Sequence, residues 1–230
     1  MDVGSMINIL FEDNHLLVVE KPVNIPIQED DSKDKDLLTL LKDDLKVRYD
    51  KPGNVYLGLV HRLDRPVGGV VVFAKTSKAA SRLSEQVRTH AFKKIYHAIL
   101  CTTNLPSEGK LVDYLVKDEK KNMVQVTNEK NPKGKKAILR YTILSKKEDL
   151  SCAKIELETG RSHQIRVQFA SRKAPLWADQ RYNPHPKENG QIALWATSLT
   201  LIHPVTKEEM TFISNPPSTY PWSLFKEAIK

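Results

Sequence analysis

The stretch "KKAILRYTILSKKEDLSCAKIELETG", Lys135 to Gly160, decides the fold class. Two runs rich in Ile, Leu, Tyr and Thr flank the charged "KKED", a pattern that reads as a β-hairpin. Immediately beyond it, "RSHQIRVQFASR" changes to helical spacing, so a strand hands over to a helix that opens on polar side chains. Upstream, "EGKLVDYLVKDEKKNMVQVT" reads as short strands with basic turns, and "KKIYHAIL" (Lys93–Leu100) as another strand. Further out, Ile7–Phe11 and Leu16–Glu20 form a second hairpin over "EDNH", and "YLGLVHR" and "GGVVVFAK" are strands flanking "LDRPV". "IALWATSLTLIHP" and "EEMTFIS" add late strands. Helical spacing marks Leu37–Tyr49, a segment capped by Ser77 whose inner face carries Ala80, Leu83 and Val87, and a short C-terminal "PWSLFKEAIK". Strands outnumber helices and follow in hairpin order, which predicts an α+β fold: a largely antiparallel mixed sheet flanked by helices and loops.

The 230 residues, 40% hydrophobic, suffice for one sizeable core, and neither a linker nor an internal repeat divides them. A single domain over 1–230 is expected. Lys and Arg exceed Asp and Glu by 36 to 28, a net charge of +8 that favours a polyanionic partner. The two cysteines, Cys101 and Cys152, make neither a disulfide framework nor a metal cluster. The N-terminal "MDVGSMINILFEDNHLLVVEKP" lacks the basic and apolar regions of a signal peptide, and no apolar run approaches the ~20 residues that cross a bilayer. A cytoplasmic protein without membrane contact is expected. No Gly-Lys-Ser/Thr phosphate loop or glycine-rich dinucleotide fingerprint is present, and the seven histidines lack metal-binding spacing. The reading therefore includes no nucleotide cofactor and no metal.

The chemistry concentrates in "LVHRLDRPVGGVVVFAKT", Leu59 to Thr76, where a histidine and two arginines surround Asp64 between two strands. Guanidinium neighbours keep a carboxylate ionised, and an ionised carboxylate can act as nucleophile or base. Such a group suits an anomeric sugar carbon, whose transition state has oxocarbenium character. Read alone, the same residues also fit a salt bridge at a turn.

Three segments in order, "HRLDRPVGGVVVFAKT", "KKIYHAIL" and "LETGRSHQIRVQFA", resemble the RluA-type pseudouridine synthases. That family shows His-Arg-Leu-Asp-Arg before an apolar strand, then Lys-x-Tyr-x-Ala, then Thr-Gly-Arg-x-His-Gln-Ile-Arg-Val. The resemblance extends from "ILFEDNHLLVVEKP" to "LIHPVTKEEMTF". It implies the pseudouridine synthase catalytic-domain fold and an enzyme that isomerises uridines in ribosomal or transfer RNA without a cofactor. Asp64 matches the catalytic aspartate, Tyr96 the tyrosine that packs on the base, and Arg166 the arginine that pairs with the aspartate. Arg62 matches a residue that enters the RNA beside the flipped base. His61, Arg65, Arg161, His163 and Gln164 are the remaining candidate phosphate or base contacts. The chain is expected to be a monomeric catalytic domain with no separate N-terminal RNA-binding domain.

Departures from the family pattern lie at "KPVN", "RPVGG", Trp195 and Ala178, and bear on loop shape and target site. The basic loops "KDEKKNM" and "NEKNPKGKK" read as solvated surface. Two rival classes are a catalytically inactive RNA-binding or ribosome-assembly factor on the same fold, and a nucleosidase. The first conflicts with the intact trio; the second needs another positioned carboxylate, which no nearby motif offers.

Overall fold

The computed structural model describes residues 7–229. "MDVGSM", the opening of the leader reading, and Lys230, the last residue of the expected C-terminal helix, lie outside the described residues. The elements run β1 (Asn8–Glu12), β2 (Leu16–Lys21), α1 (Leu37–Arg48), β3 (Gly58–Leu59), β4 (Gly68–Ala74), α2 (Ser77–Arg88), β5 (Lys93–Leu100), β6 (Glu108–Asp118) and β7 (Met123–Thr127). They continue as β8 (Lys135–Lys147), β9 (Leu150–Leu157), α3 (Gln164–Ala170), β10 (Leu194–Ile202), β11 (Glu209–Ile213) and a 3-10 turn at Trp222–Phe225. This is the α+β fold expected. The chain divides into two compact units, one holding the residues up to Lys93 and Ala196–Ser214, the other Lys94–Trp195 and the residues from Asn215. Each unit is assembled from separate stretches of chain, which explains why no linker is legible.

In the first unit the strand order is β1-β2-β4-β10, with β11 beside β10 and β3 beside β4. Strands β2 and β4 pair antiparallel from Leu16↔Ala74 to Lys21↔Gly69. Every residue of β4 is buried, so "GGVVVFA" reads as a continuous apolar run and not as an alternation. Helix α2 lays Ala79 and Leu83 on a core containing Leu16, Val70, Val72, Phe92, Leu199 and Phe212. Its N-cap is Thr76, whose side chain accepts from the Ala79 N–H, and not the neighbouring Ser77 as the helix pattern suggests.

The second unit has the order β5-β9-β8-β6-β7, antiparallel at every pairing. Here burial alternates: Ala137, Leu139 and Tyr141 on β8 point to the covered face. Tyr96, Ile155 and Tyr141 lie directly opposite one another across β5, β9 and β8, so Tyr96 belongs to that face. Helix α3 packs there, with Phe169 edge-on to Tyr141 at 5.4 Å.

Several boundaries differ from the sequence reading. The β8–β9 hairpin turns over Glu148 and Asp149 alone, because Lys146 and Lys147 still pair with Ser151 and Leu150; Glu148 takes the left-handed φ of 53° that so tight a turn requires. Strand β3 stops at Leu59, well short of the expected Arg62, since the N–H of Val72 on β4 is taken by the His61 ring. The C-terminal segment makes only the 3-10 turn, which buries Trp222 and Phe225.

Gly69 has φ +117°, and a Cβ there would lie 2.2 Å from the Ala196 carbonyl oxygen. Both strain and collision forbid a side chain, so Gly69→Ala is expected to lose about 3 kcal/mol or more in urea unfolding. Gly53, with nothing within 4 Å of its virtual Cβ, serves as control and should tolerate Ala within about 0.5 kcal/mol. Equal effects at the two sites would contradict the close approach of β4 to β10.

Candidate functional site

Between β3 and β4 the chain makes the loop that carries Asp64. Burial alternates along it: His61 and Leu63 are inside, Arg62 is exposed, and Asp64 is half-buried. Although no strand ladder extends this far, Arg62 and Asp64 are therefore the outward positions of an extended segment. The loop closes through the Val67 N–H, which donates to the Asp64 carbonyl at 2.9 Å, and through the Asn24 N–H, which donates to the Arg65 carbonyl at 2.9 Å.

What fixes the loop is Lys21, at the end of β2, with no exposed surface. Its Nζ donates to the carbonyls of Pro22, Arg65 and Val67, each at 2.9 Å. Burial pushes the amine down to about 7, opposed by the charge of Asp64 and assisted by that of Arg65. Three acceptors nevertheless call for three hydrogens, which only the ammonium form carries. Lys21 thus pins the backbone on the C-terminal side of Asp64 and sets a positive charge beside it. Sequence reading missed this residue, because a lysine before a proline at a strand end looks like solvated surface.

In the second unit, Tyr96 on β5 is buried, with 7% of its surface exposed. Lys94 shares its face two residues earlier; burial pushes that amine down to about 8. The Lys94 Nζ sits 3.6 Å from where a Gly160 Cβ would be, an ordinary contact distance that places this lysine beside the "TGR" turn. The following residues form a closed knot on β8. Gln164 Oε1 accepts from the Thr159 hydroxyl at 2.8 Å and the Arg161 N–H at 2.9 Å, while its Nε2 donates to the Ile138 carbonyl at 3.0 Å. His163 enters α3 through a left-handed φ of 51°.

Arg166, one turn into α3, is buried and bidentate with Asp179: Nε donates to Oδ2 at 2.9 Å and Nη2 to Oδ1 at 2.7 Å. Such a fork is a strong form of ion pair and could not be reproduced by lysine. Asp179 is the other side chain missing from the sequence reading, since it lies in irregular structure with no periodic signal. Ala178 before it has φ 53°, a left-handed backbone conformation that glycine adopts more readily than alanine.

The expected RNA contacts fall into two groups. His61 and Gln164 are 8% and 3% exposed; the His61 Nε2 accepts from Val72 N–H and every polar atom of the Gln164 amide is engaged within the protein. Both side chains are thus held by bonds within the protein. Arg62 and Arg161 are exposed, and Arg161 rests its Nε on the Lys136 carbonyl at 2.9 Å. Arg65 faces Asp34 and Asp30 on the loop before α1, and His163 stands with Nδ1 2.6 Å from the Tyr182 hydroxyl. Among the described residues no three His, Cys, Asp or Glu side chains group as metal ligands, and no helix is long and apolar enough to cross a membrane.

Residues 15–171 match the RNA pseudouridylate synthase family. The RNA pseudouridine synthase YhcT of Bacillus subtilis is 32% identical over 205 residues, covering 88% of this chain and 66% of its own. Ribosomal large subunit pseudouridine synthase D of Pasteurella multocida is 30% identical over 231 residues, covering 93% and 68%. The chain thus spans about two thirds of the length of these relatives. Among solved structures, human RNA pseudouridylate synthase domain containing 4 superimposes with a TM-score of 0.80 at 22% identity, over 97% of this chain and 94% of that one.

Lys21→Met keeps the length of the side chain and removes one donor from each of three carbonyls, of which that of Arg65 keeps the Asn24 N–H. A loss of about 3 kcal/mol in chemical unfolding is expected, with faster amide exchange at Val67. A variant as stable as the parent, with unchanged exchange at Val67, would show that the Asp64 loop does not depend on the lysine.

Proposed function

The chain belongs to the RNA pseudouridylate synthase family, and on that premise we propose that it isomerises specific uridines of ribosomal or transfer RNA to pseudouridine. The observation that carries the reading is the fit of the family match over 15–171 with a half-buried Asp64 held on a pinned loop. The reaction breaks the bond between C1′ and N1 of uracil, turns the base and joins C1′ to C5. The C5 proton leaves to solvent and N1 gains one, so mass is unchanged.

Asp64 is the catalytic carboxylate in this reading, acting either by attack on C1′ or by removal of the C2′ proton. Tyr96 packs on the uracil ring, and its hydroxyl takes part in loss of the C5 proton. Arg166, held by Asp179, is the motif arginine in this reading, its planar guanidinium suited to charge-assisted hydrogen bonds that a lysine could not match. A paired uridine must first leave its stack, at a cost of a few kcal/mol. Arg62, exposed two residues before Asp64, is suited to the vacated space. The naming of several relatives as ribosomal large subunit synthases favours ribosomal RNA as the substrate.

Pseudouridine mapping of total RNA from cells with and without the gene tests this reading. One or a few uridines should lose the modification on deletion and regain it with the parent gene, but not with Asp64→Asn. Restoration by Asp64→Asn would remove Asp64 from the chemistry. Arg62→Ala should slow single-turnover modification of a uridine in a folded stem-loop by about tenfold more than the same uridine in an unstructured oligonucleotide at matched salt. Equal slowing would reduce Arg62 to a general phosphate contact.

A further inference from the structure

Arg166 is gripped at its edge by Asp179, but a two-point contact along one edge of a planar group still leaves a hinge about the line joining those two points. A further constraint, on the face of the group, comes from the same turn. The ring of Tyr182, three residues beyond Asp179, lies against the guanidinium, with Arg166 Cζ 5.2 Å from the ring centroid. Asp179 Oδ1 also accepts from the N–H groups of Arg181 at 3.0 Å and Tyr182 at 3.3 Å, so the residues that grip the edge and the face are built as one piece.

The tyrosine is itself immobilised. Its ring packs among Leu115, Val124, Ala137 and Val167. The hydroxyl accepts from the Val124 N–H at 2.9 Å and lies 2.6 Å from His163 Nδ1, whose imidazole meets the ring edge-on at 5.6 Å. A core tyrosine needs only a hydrogen-bond partner for its hydroxyl; here the π-face is also spent on the cation of the motif arginine. We propose that Tyr182 is a positioning residue, which fixes the tilt of the Arg166 guanidinium and so the direction of the donors that lie outside the Asp179 pair. The hydroxyl serves stability and the ring serves the arginine.

This rests on the role proposed for Arg166 in uridine isomerisation, and the test separates the two. Tyr182→Phe keeps the ring, and Tyr182→Met keeps comparable bulk without a π-face. Single-turnover rates at saturating enzyme on unmodified ribosomal RNA transcripts should fall about 30-fold for Met and less than about threefold for Phe, with RNA affinity of both within about threefold of the parent. Independently of turnover, the Nε–H resonance of Arg166, assigned by its absence in Arg166→Lys, should shift in Tyr182→Met and stay in place in Tyr182→Phe. Should Tyr182→Met fail to fold, Tyr182→Leu takes its place under the same criteria. Equal rates for the two variants, or an unmoved Arg166 resonance in Tyr182→Met, would overturn the proposal. A parent protein that modifies none of the transcripts while the resonance still shifts would contradict the proposed function and leave the grip on Arg166 standing.

Discussion

A lysine with no exposed surface must either lose its proton or find acceptors for every hydrogen it carries. Lys21 finds three, all backbone carbonyls, and two of them belong to the loop that follows Asp64. Loops ordinarily trade order for solvent exposure. This one is instead tied to the end of a buried strand, between Leu63 and Val67, which are themselves in the core. In the role proposed for Asp64 such a base would matter, because a displacement of about an ångström can cost as much as a hundredfold in rate. The same ammonium adds a positive charge in a setting where few waters screen it.

The second unit solves a related problem with a different device. Arg166 is almost wholly buried, and a lone guanidinium there would be costly. The Asp179 carboxylate answers it in bidentate form while accepting backbone N–H groups of its own turn, so both charges have partners. The turn is in place because Tyr182 is anchored to Val124 on β7, and α3 is in place because the Thr159–Gln164 knot fastens its start to Ile138 on β8. Each polar element of the "TGRSHQIR" segment has a mechanical reason. Threonine and glutamine tie the knot, histidine meets the tyrosine, and Arg166 carries the charge.

How legible this was in the sequence depends on the range of the interaction. The class of fold follows from alternation and turn chemistry, which are local: the β8–β9 pairing and the buried run of β4 could be read directly. Boundaries failed where a side chain replaced backbone. His61 caps the Val72 N–H and ends β3 early; Thr76 and Ser77 offer adjacent hydroxyls, and only the extended backbone of Thr76 selects it as the cap. Asp64, Tyr96 and Arg166 are singled out in the sequence by the resemblance of three short motifs to the family, each contiguous with a strand or a helix. Lys21 and Asp179 were not, since their partners lie 44 and 13 residues away and nothing in their neighbours' spacing reports it. For His61 and Gln164 the motif offers polar groups without reporting their burial or their bonds to Val72, Thr159 and Ile138, which appear only in the fold.

In the proposed function, the chain moves the glycosidic bond of a uridine in RNA from nitrogen to carbon. The most direct measurement uses purified protein and ribosomal RNA transcripts carrying tritium at C5 of uracil, with nucleosides analysed after digestion. Release of tritium to water, matched by an equal amount of pseudouridine and no free uracil, is the predicted result. Free uracil in the products, or complete retention of tritium on transcripts that the protein binds, would contradict it.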